Sequence, residues 1–165
     1  MDRLEKFFRH WQSIPRSGLV PRLADYLERP NPELQPWTLI LDVEDSTLPT
    51  RLFATALVTL VGADLTKTDH LALFSKDQHG DAMRRHKLMA IHPCGMYSEA
   101  VAQTLKGLTY AMSGLALPLA RENGGHSVVR IIVPSQALAT GDTFATVKVQ
   151  PPAVKWMDIG AGVPD

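Results

Sequence analysis

The sequence has little cysteine, no surplus of charge and no long apolar run, and each absence excludes a class of protein. Its single cysteine, Cys94, excludes an internal disulfide framework. The 17 basic and 17 acidic residues cancel, so no overall field would draw the chain to nucleic acid or an anionic membrane. No segment has the pattern of a signal peptide or a membrane span. We therefore expect a cytoplasmic protein without nucleic-acid partners or membrane insertion.

Sequence motifs of common enzyme classes are also missing. The chain has no Gly-x-Ser-x-Gly elbow and no phosphate-binding glycine loop that ends in Lys-Ser or Lys-Thr. Its histidines and Cys94 lack the paired short spacings of a structural zinc site. We predict a protein that is not an enzyme, with no catalytic residues and no metal site.

The 165 residues, of which 45% are hydrophobic, are enough for one domain with a substantial core. Near the N-terminus, an apolar residue recurs at helical spacing at Leu4, Phe7, Phe8 and Trp11, which predicts an amphipathic helix. Its apolar face could pack on its own domain or complete a dimer interface, and the sequence leaves both alternatives open.

The later patterns predict two strands, then helices, then three strands. Alternation predicts a hairpin over 39–43 and 50–53, and helical spacing predicts helices over 54–61 and 77–91. Three strand-like runs follow between 97 and 134. This order predicts an α+β fold, a five-stranded antiparallel sheet with helices on one face, plus the N-terminal helix.

The predicted organisation has three parts. Residues 1–20 form the N-terminal helix and linker, 21–135 the main domain, and 136–165 a C-terminal extension. The prolines of the extension, Pro151, Pro152 and Pro164, predict that it is extended and partly disordered.

Two stretches of the main domain resemble the single-domain PAS family of alphaproteobacteria. The first, VPRLADYLERPNPELQPWTLILDVED with TRLFATALVTLVGADLTKTD, carries residues of the family's opening pattern: Pro21, Arg22, Arg51, Leu52, Thr55, Gly62, Asp64, Leu65 and Thr66. It departs at Ala54 and Lys67, where the family usually has glycine. The second, LALPLARENGGHSVVRIIVPS, resembles the closing strands through Pro118, Leu119, Gly124, Gly125, Arg130 and Ile131. The resemblance implies a PAS-type sensory or regulatory domain and names no ligand.

In a PAS fold the helices and the sheet enclose a cavity, and we predict that a small, mostly apolar ligand binds there. From the helix and strand faces predicted to point inward, we expect six ligand-binding residues: Leu41, Met83, His86, Met89, Tyr97 and Met112. Since no output segment follows Ser135, the signal would pass through a partner signalling protein or through self-association, with a homodimer expected.

The sequence requires no cofactor, and the identity of any bound cofactor is unknown. His86 could in principle ligate haem, as PAS histidines can, but a core histidine is the favoured interpretation. Cys94 could form a flavin adduct as in light-sensing PAS relatives, but the polar sequence around that cysteine is absent, which favours a half-buried structural thiol.

Two other functions stay open. A ligand-free protein-interaction or dimerisation module would have a solid core and a wide apolar patch, whereas a sensor would have a large enclosed cavity. A small cone-fold enzyme would need a polar, titratable pocket, for which Glu99 is the candidate residue. That third function loses its main support if Glu99 lies on the solvent face.

Overall fold

The computed structural model describes residues 1–144 and 152–165. Its helices are α1 (Arg3–Ser13), α2 (Leu23–Leu27), α3 (Thr55–Val61) and α4 (His79–Ile91). Its strands are β1 (Thr38–Val43), β2 (Thr50–Phe53), β3 (Cys94–Gln103), β4 (Thr109–Ala120), β5 (His126–Pro134) and β6 (Ala153–Asp158). Short 3₁₀ helices lie at Gln35–Trp37, His70–Leu73 and Lys76–Gln78. None of the helices in the described ranges is long and apolar enough to cross a membrane.

The strands form one antiparallel sheet in the order β2-β1-β5-β4-β3-β6. The α+β class and the PAS-like order of the first five strands are confirmed. The expected number of strands is wrong, because β6 pairs with β3 from Cys94↔Asp158 to Glu99↔Ala153 and adds a sixth strand. Thus part of the predicted C-terminal extension belongs to the sheet, while the predicted domain boundaries stay a prediction. Pro151 lies outside the described residues.

Helices cover both sides of the sheet. We call the side under α1 and α2 the α1 face and the side under α3 and α4 the α4 face. Side chains alternate between these faces along each strand. The α1 face carries the core residues Ile40, Leu115, Leu117, Leu119, Val129 and Ile131. The α4 face carries Leu39, Met96, Ser98, Met112, Gly114, Arg130 and Ile132.

Helix α1 packs on its own domain, which is one of the two alternatives left open by the sequence. Asp2 caps the helix, since its Oδ1 accepts a hydrogen bond from the Glu5 amide at 2.7 Å. Phe7 is 0% exposed and Trp11 is 2% exposed. The Trp11 Nε1 also donates to the Pro118 carbonyl of β4 at 3.1 Å. The apolar stripe is therefore largely used inside the domain.

The two turns at which the sequence departs from the PAS-family pattern behave differently. Ala54 is extended at φ −78°, which any residue adopts. Lys67 has φ 68°, the left-handed conformation that favours glycine, and no other non-glycine residue of the described ranges has a positive φ. Its amide donates to the Thr50 carbonyl at 2.8 Å, which fixes the turn. Lys67 thus retains a backbone suited to glycine.

Candidate functional site

A cavity of about 130 Å³ lies between the α4 face of the sheet and the helices that cover it. Its size is close to that of an apolar cavity of about 150 Å³ that accepts benzene. Most of the wall is apolar, with Leu57 and Leu60 from α3 opposite Ile132 from β5. A small, mostly apolar molecule is the kind of ligand that such a cavity fits.

The space exists because the strands place small side chains there. Ser98, Ala100 and Ala102 of β3 line the cavity, and so does Gly114 of β4. An alternation of this kind, with small residues on one face and large ones on the other, leaves a volume that the helices above do not fill.

Arg130 is the most unusual group in the wall. It lies in β5 between Val129 and Ile131, which point to the α1 face. Its Nη2 donates to Ser98 Oγ at 2.6 Å, whereas its Nε has no hydrogen-bond partner among the described residues. Burial, together with the charge of Arg85, lowers the pKa of Arg130 to about 10. The guanidinium therefore stays charged at neutral pH inside a mostly apolar wall.

The position of the Arg130 guanidinium depends on Gly114. A Cβ at residue 114 would lie 3.0 Å from both Nε and Nη2 of Arg130 and 3.1 Å from Ser98 Oγ. Glycine allows the guanidinium this close approach to the strand, and a larger residue would move the guanidinium by a few tenths of an ångström.

Arg85 brings a second positive charge to the same wall. Its side chain is 11% exposed, and it forms an ion pair with Asp81 one helical turn earlier in α4. Asp81 also pairs with Arg84 at 2.8 Å, so one carboxylate serves two guanidinium groups. The Nε of Arg85 has no partner in the described part of the chain.

Two buried histidines stand beside these arginines. His86 donates from Nδ1 to the Ala82 carbonyl at 2.8 Å, because a carbonyl only accepts, and its Nε2 has no partner in the described ranges. The ring of His70 lies 6.3 Å from that of His86, edge to face. Burial lowers the pKa of His86 to about 4, and burial with the charges of His86 and Arg130 lowers that of His70 well below 6.5. Both rings are neutral at neutral pH.

Of the six residues that the sequence nominated, the structure places His86 and Met112 in the cavity wall. Leu41, Met83 and Met89 are buried in the apolar clusters that surround it and do not line it. Tyr97 lies on the α1 face, since its neighbours Met96 and Ser98 take the α4 face. The assignment of Tyr97 therefore differs from the structure by one strand position.

Sequence reasoning missed Arg130, Arg85, His70, Ser98 and Gly114 as cavity residues. Arg85 follows the exposed Arg84 in α4, yet its own side chain turns inward. For Arg130 a signal existed in the sequence, since a lone charge interrupts the apolar run Val-Val-Arg-Ile-Ile in a strand. No comparable signal marked His70, whose burial depends on residues far away in the chain.

Cys94 and Glu99 both lie outside the cavity. Cys94 is buried with Met89 and Met96, and burial raises its pKa to about 11, which describes an unreactive thiol. Glu99 is exposed and accepts a hydrogen bond from the Tyr97 hydroxyl at 2.7 Å. The cone-fold enzyme hypothesis thus loses its main support.

The residues around His86 do not fit a haem. The macrocycle is much larger than a benzene-sized cavity, and the cationic side chains of Arg130 and Arg85 stand in the same wall. Within the two described ranges, no group of three or more histidine, cysteine, aspartate or glutamate residues is placed to hold a metal ion.

Neither the family models nor the curated proteins contain a match to this chain. Among solved structures, the chain is similar to a fungal LOV domain photoreceptor described as part of a pathway that integrates blue light and oxidative stress. The sequence identity is 16% and the TM-score 0.46, over 81% of this chain and 92% of that chain. A similarity of this size carries no functional argument, and the fold class rests on the strand order itself.

Proposed function

We propose that this chain is a PAS-type sensor, of the single-domain alphaproteobacterial kind, that binds a small, mostly apolar ligand between its sheet and helices α3 and α4. The observation that carries this proposal is the cavity of about 130 Å³ with apolar walls and a few buried polar atoms. Binding pockets characteristically combine these two features. In this proposal the protein is cytoplasmic and has no catalytic activity.

The signal would leave the domain through a partner signalling protein or through self-association as a homodimer. A ligand shifts a conformational equilibrium only by its difference in affinity for the two states. The cavity is lined by α3, α4, β3, β4 and β5, so a ligand contacts both the helices and the sheet. A ligand that favours one spacing of helices and sheet would thereby change the surface available to a partner.

The second candidate is a ligand-free interaction module. Its supporting observation is the exposure of Val101, Leu105 and Leu108 around the β3–β4 turn, at 44%, 60% and 45%. Against it, the apolar stripe of α1 is engaged within its own domain, and the α4 face contains a cavity where this module would have a solid core.

The first experiment is a search for a bound molecule in freshly purified protein. We would record an ultraviolet-visible spectrum and then identify by mass spectrometry whatever is released on denaturation. Because the cavity is benzene-sized, we expect a colourless protein that releases one small organic compound reproducibly. A haem or flavin absorption band would contradict the cavity as described.

A matched pair of variants shows where the compound binds. Ala100 lines the cavity, whereas Ala111 is exposed on the neighbouring strand. Ala100→Leu should reduce the released amount several-fold, and Ala111→Leu should leave it unchanged. Suppose that neither the wild-type protein nor the variants release a compound, and that Ala100→Leu leaves the binding of added small molecules unchanged. The interaction module then becomes the better interpretation.

A further inference from the structure

The wall of the cavity carries more positive charge than the described residues neutralise. Within the described part of the chain Arg130 forms no ion pair, and its Nη2 donates a hydrogen bond to the neutral Ser98 hydroxyl. Asp81, which pairs with Arg85, is shared with Arg84 and is itself half exposed. A buried charge without a counterion is strongly unfavourable, and proteins usually pair such charges.

A second arginine of the same sheet shows the usual arrangement. Arg121, which directly follows β4, is 15% exposed at its side chain and has two carboxylates near it. These are Glu44 at 3.0 Å and Asp42 at 3.7 Å. Thus Arg121 has carboxylate partners, whereas Arg130 of β5 has none in the described part of the chain.

We propose that the ligand carries an anionic group of carboxylate size, which binds to Arg130 and Arg85, while its apolar body packs against Leu57, Leu60 and Ile132. This inference rests on the proposed function, because it names the chemical class of the ligand for the same cavity. The ligand would provide the negative charge that the wall lacks, and a guanidinium is the side chain best suited to bind a carboxylate.

The site is organised before the ligand arrives. The guanidinium of Arg130 lies against Gly114 and is held by Ser98 through Nη2, which leaves Nε available. Arg85 presents its own unpartnered Nε from α4. His86 Nε2 is an acceptor in the neutral ring and does not itself call for an anion, so the inference depends on the two arginines.

The test uses two pairs of probes that match in size and differ in charge: benzoate with benzyl alcohol, and hexanoate with 1-hexanol. NMR chemical-shift titration of the full chain gives the dissociation constant of each. We expect each carboxylate to bind at least about tenfold more tightly than its neutral partner. Resonances of residues lining the cavity should shift.

Two arginine variants separate binding from a structural role. Arg130→Leu should reduce the carboxylate preference to less than about twofold. It should leave the melting temperature of the ligand-free protein unchanged or raised, since it removes an unpaired buried charge. Arg121→Leu is the matched control, which should keep the carboxylate preference and lower the melting temperature because it removes the partner of Glu44. If Arg130→Leu does not fold, Arg130→Gln provides the same comparison.

The outcomes distinguish the ligand site itself, the anionic class of its ligand and the assignment of that anion to Arg130. If the neutral probes bind as tightly as the carboxylates, the cavity is a ligand site and the anionic class is wrong. If carboxylates retain their preference in the Arg130 variant, the assignment to Arg130 is overturned. If no probe binds up to about 10 mM, the small-ligand function itself fails along with this inference.

Discussion

The α1 face and the α4 face of the sheet share the same central strands, but they receive side chains of different size and charge. In β4, Leu115 and Leu117 point to the α1 face and fill a continuous core with Trp11. In the same strand, Gly114 points to the α4 face and leaves room for a charged guanidinium beside a cavity. One strand therefore contributes both to a solid core and to the wall of a cavity.

This difference gives the two faces opposite effects on the stability of the fold. Each large apolar side chain that is buried on the α1 face contributes roughly 1.5–3 kcal/mol. On the α4 face, each buried polar atom without a partner costs about 1–3 kcal/mol. The stability contributed by the α1 face can thus compensate for the unpaired polar atoms of the α4 face.

The largest expected effect is a loss of stability when a large side chain is removed from the core of the α1 face. Trp11→Ala should lower the free energy of unfolding by about 3–5 kcal/mol, because it creates a void and leaves the Pro118 carbonyl without its donor. Urea denaturation measures this loss. Trp156→Ala, on the partly buried edge strand β6, is the matched control and should lose less than half as much. Equal losses would contradict the conclusion that the α1 face contributes more to stability.

The second prediction concerns pH and the buried histidines of the α4 face. The pKa of His86 is about 4 in the folded protein and 6.5 in the unfolded chain, so the unfolded state binds more protons between these values. Stability is therefore complete above pH 6.5 and declines as the pH falls toward about 4, by on the order of 3 kcal/mol for this residue. His70 acts in the same direction.

Urea denaturation across this pH window measures the decline. The groups that face His86 are His70, Arg85 and Arg130. The charges of the two arginines oppose protonation of His86, and the ring of His70 packs against it edge to face. His86→Gln should make the stability curve flatter, and His126→Gln, at an exposed position, is the matched control. A wild-type curve that is flat from pH 6.5 down to about 4 would mean that His86 is accessible to water.

The third prediction addresses the contact between Gly114 and Arg130. Gly114→Ala should displace the guanidinium, lower the stability by about 1–2 kcal/mol and weaken benzoate binding. Gly80→Ala in α4, where a Cβ meets open space, should instead raise the stability by about 0.5–1 kcal/mol. Thermal denaturation and the benzoate titration measure both. A Gly114→Ala protein with unchanged benzoate affinity would argue against a fixed guanidinium.

The smallest effect is expected at Lys67, where the backbone on the α4 side of the molecule is strained. Lys67→Gly should raise the stability by about 0.5–1 kcal/mol, because the relief of the left-handed conformation exceeds the added entropy of the unfolded chain. Lys76→Gly, in a 3₁₀ helix, should lower it. If Lys67→Gly also lowers the stability, contacts of the lysine side chain outweigh the strain.

Features fixed by local sequence could be predicted, and features fixed by distant contacts could not. Helices α1, α3 and α4 follow from the spacing of apolar residues within each segment. Strand β6 follows two prolines and gains its stability by pairing with β3, which no local pattern reveals. The sequence therefore predicted the first five strands and missed the sixth.

The same distinction applies to the site. Helical spacing placed His86 on the same face of α4 as Met83 and Met89, and the structure buries all three. The phase of β3 was harder to choose, since the small residues Ser98 and Ala100 look like surface positions yet face the cavity. The association of Arg130 with Ser98 joins residues 32 positions apart, and only the folded sheet brings them together.

Strand β6 has a consequence for how the domain can be handled. It covers the edge of β3 from Cys94 to Glu99. A shortened chain that stopped at Ser135 would expose those backbone amide and carbonyl groups, and an uncovered edge strand is a template for aggregation. With β6 in place, the edge of the sheet is a strand of 6 residues instead of the 10 residues of β3, and a short edge strand is a poorer template for association. Expression designs for this domain should therefore retain β6.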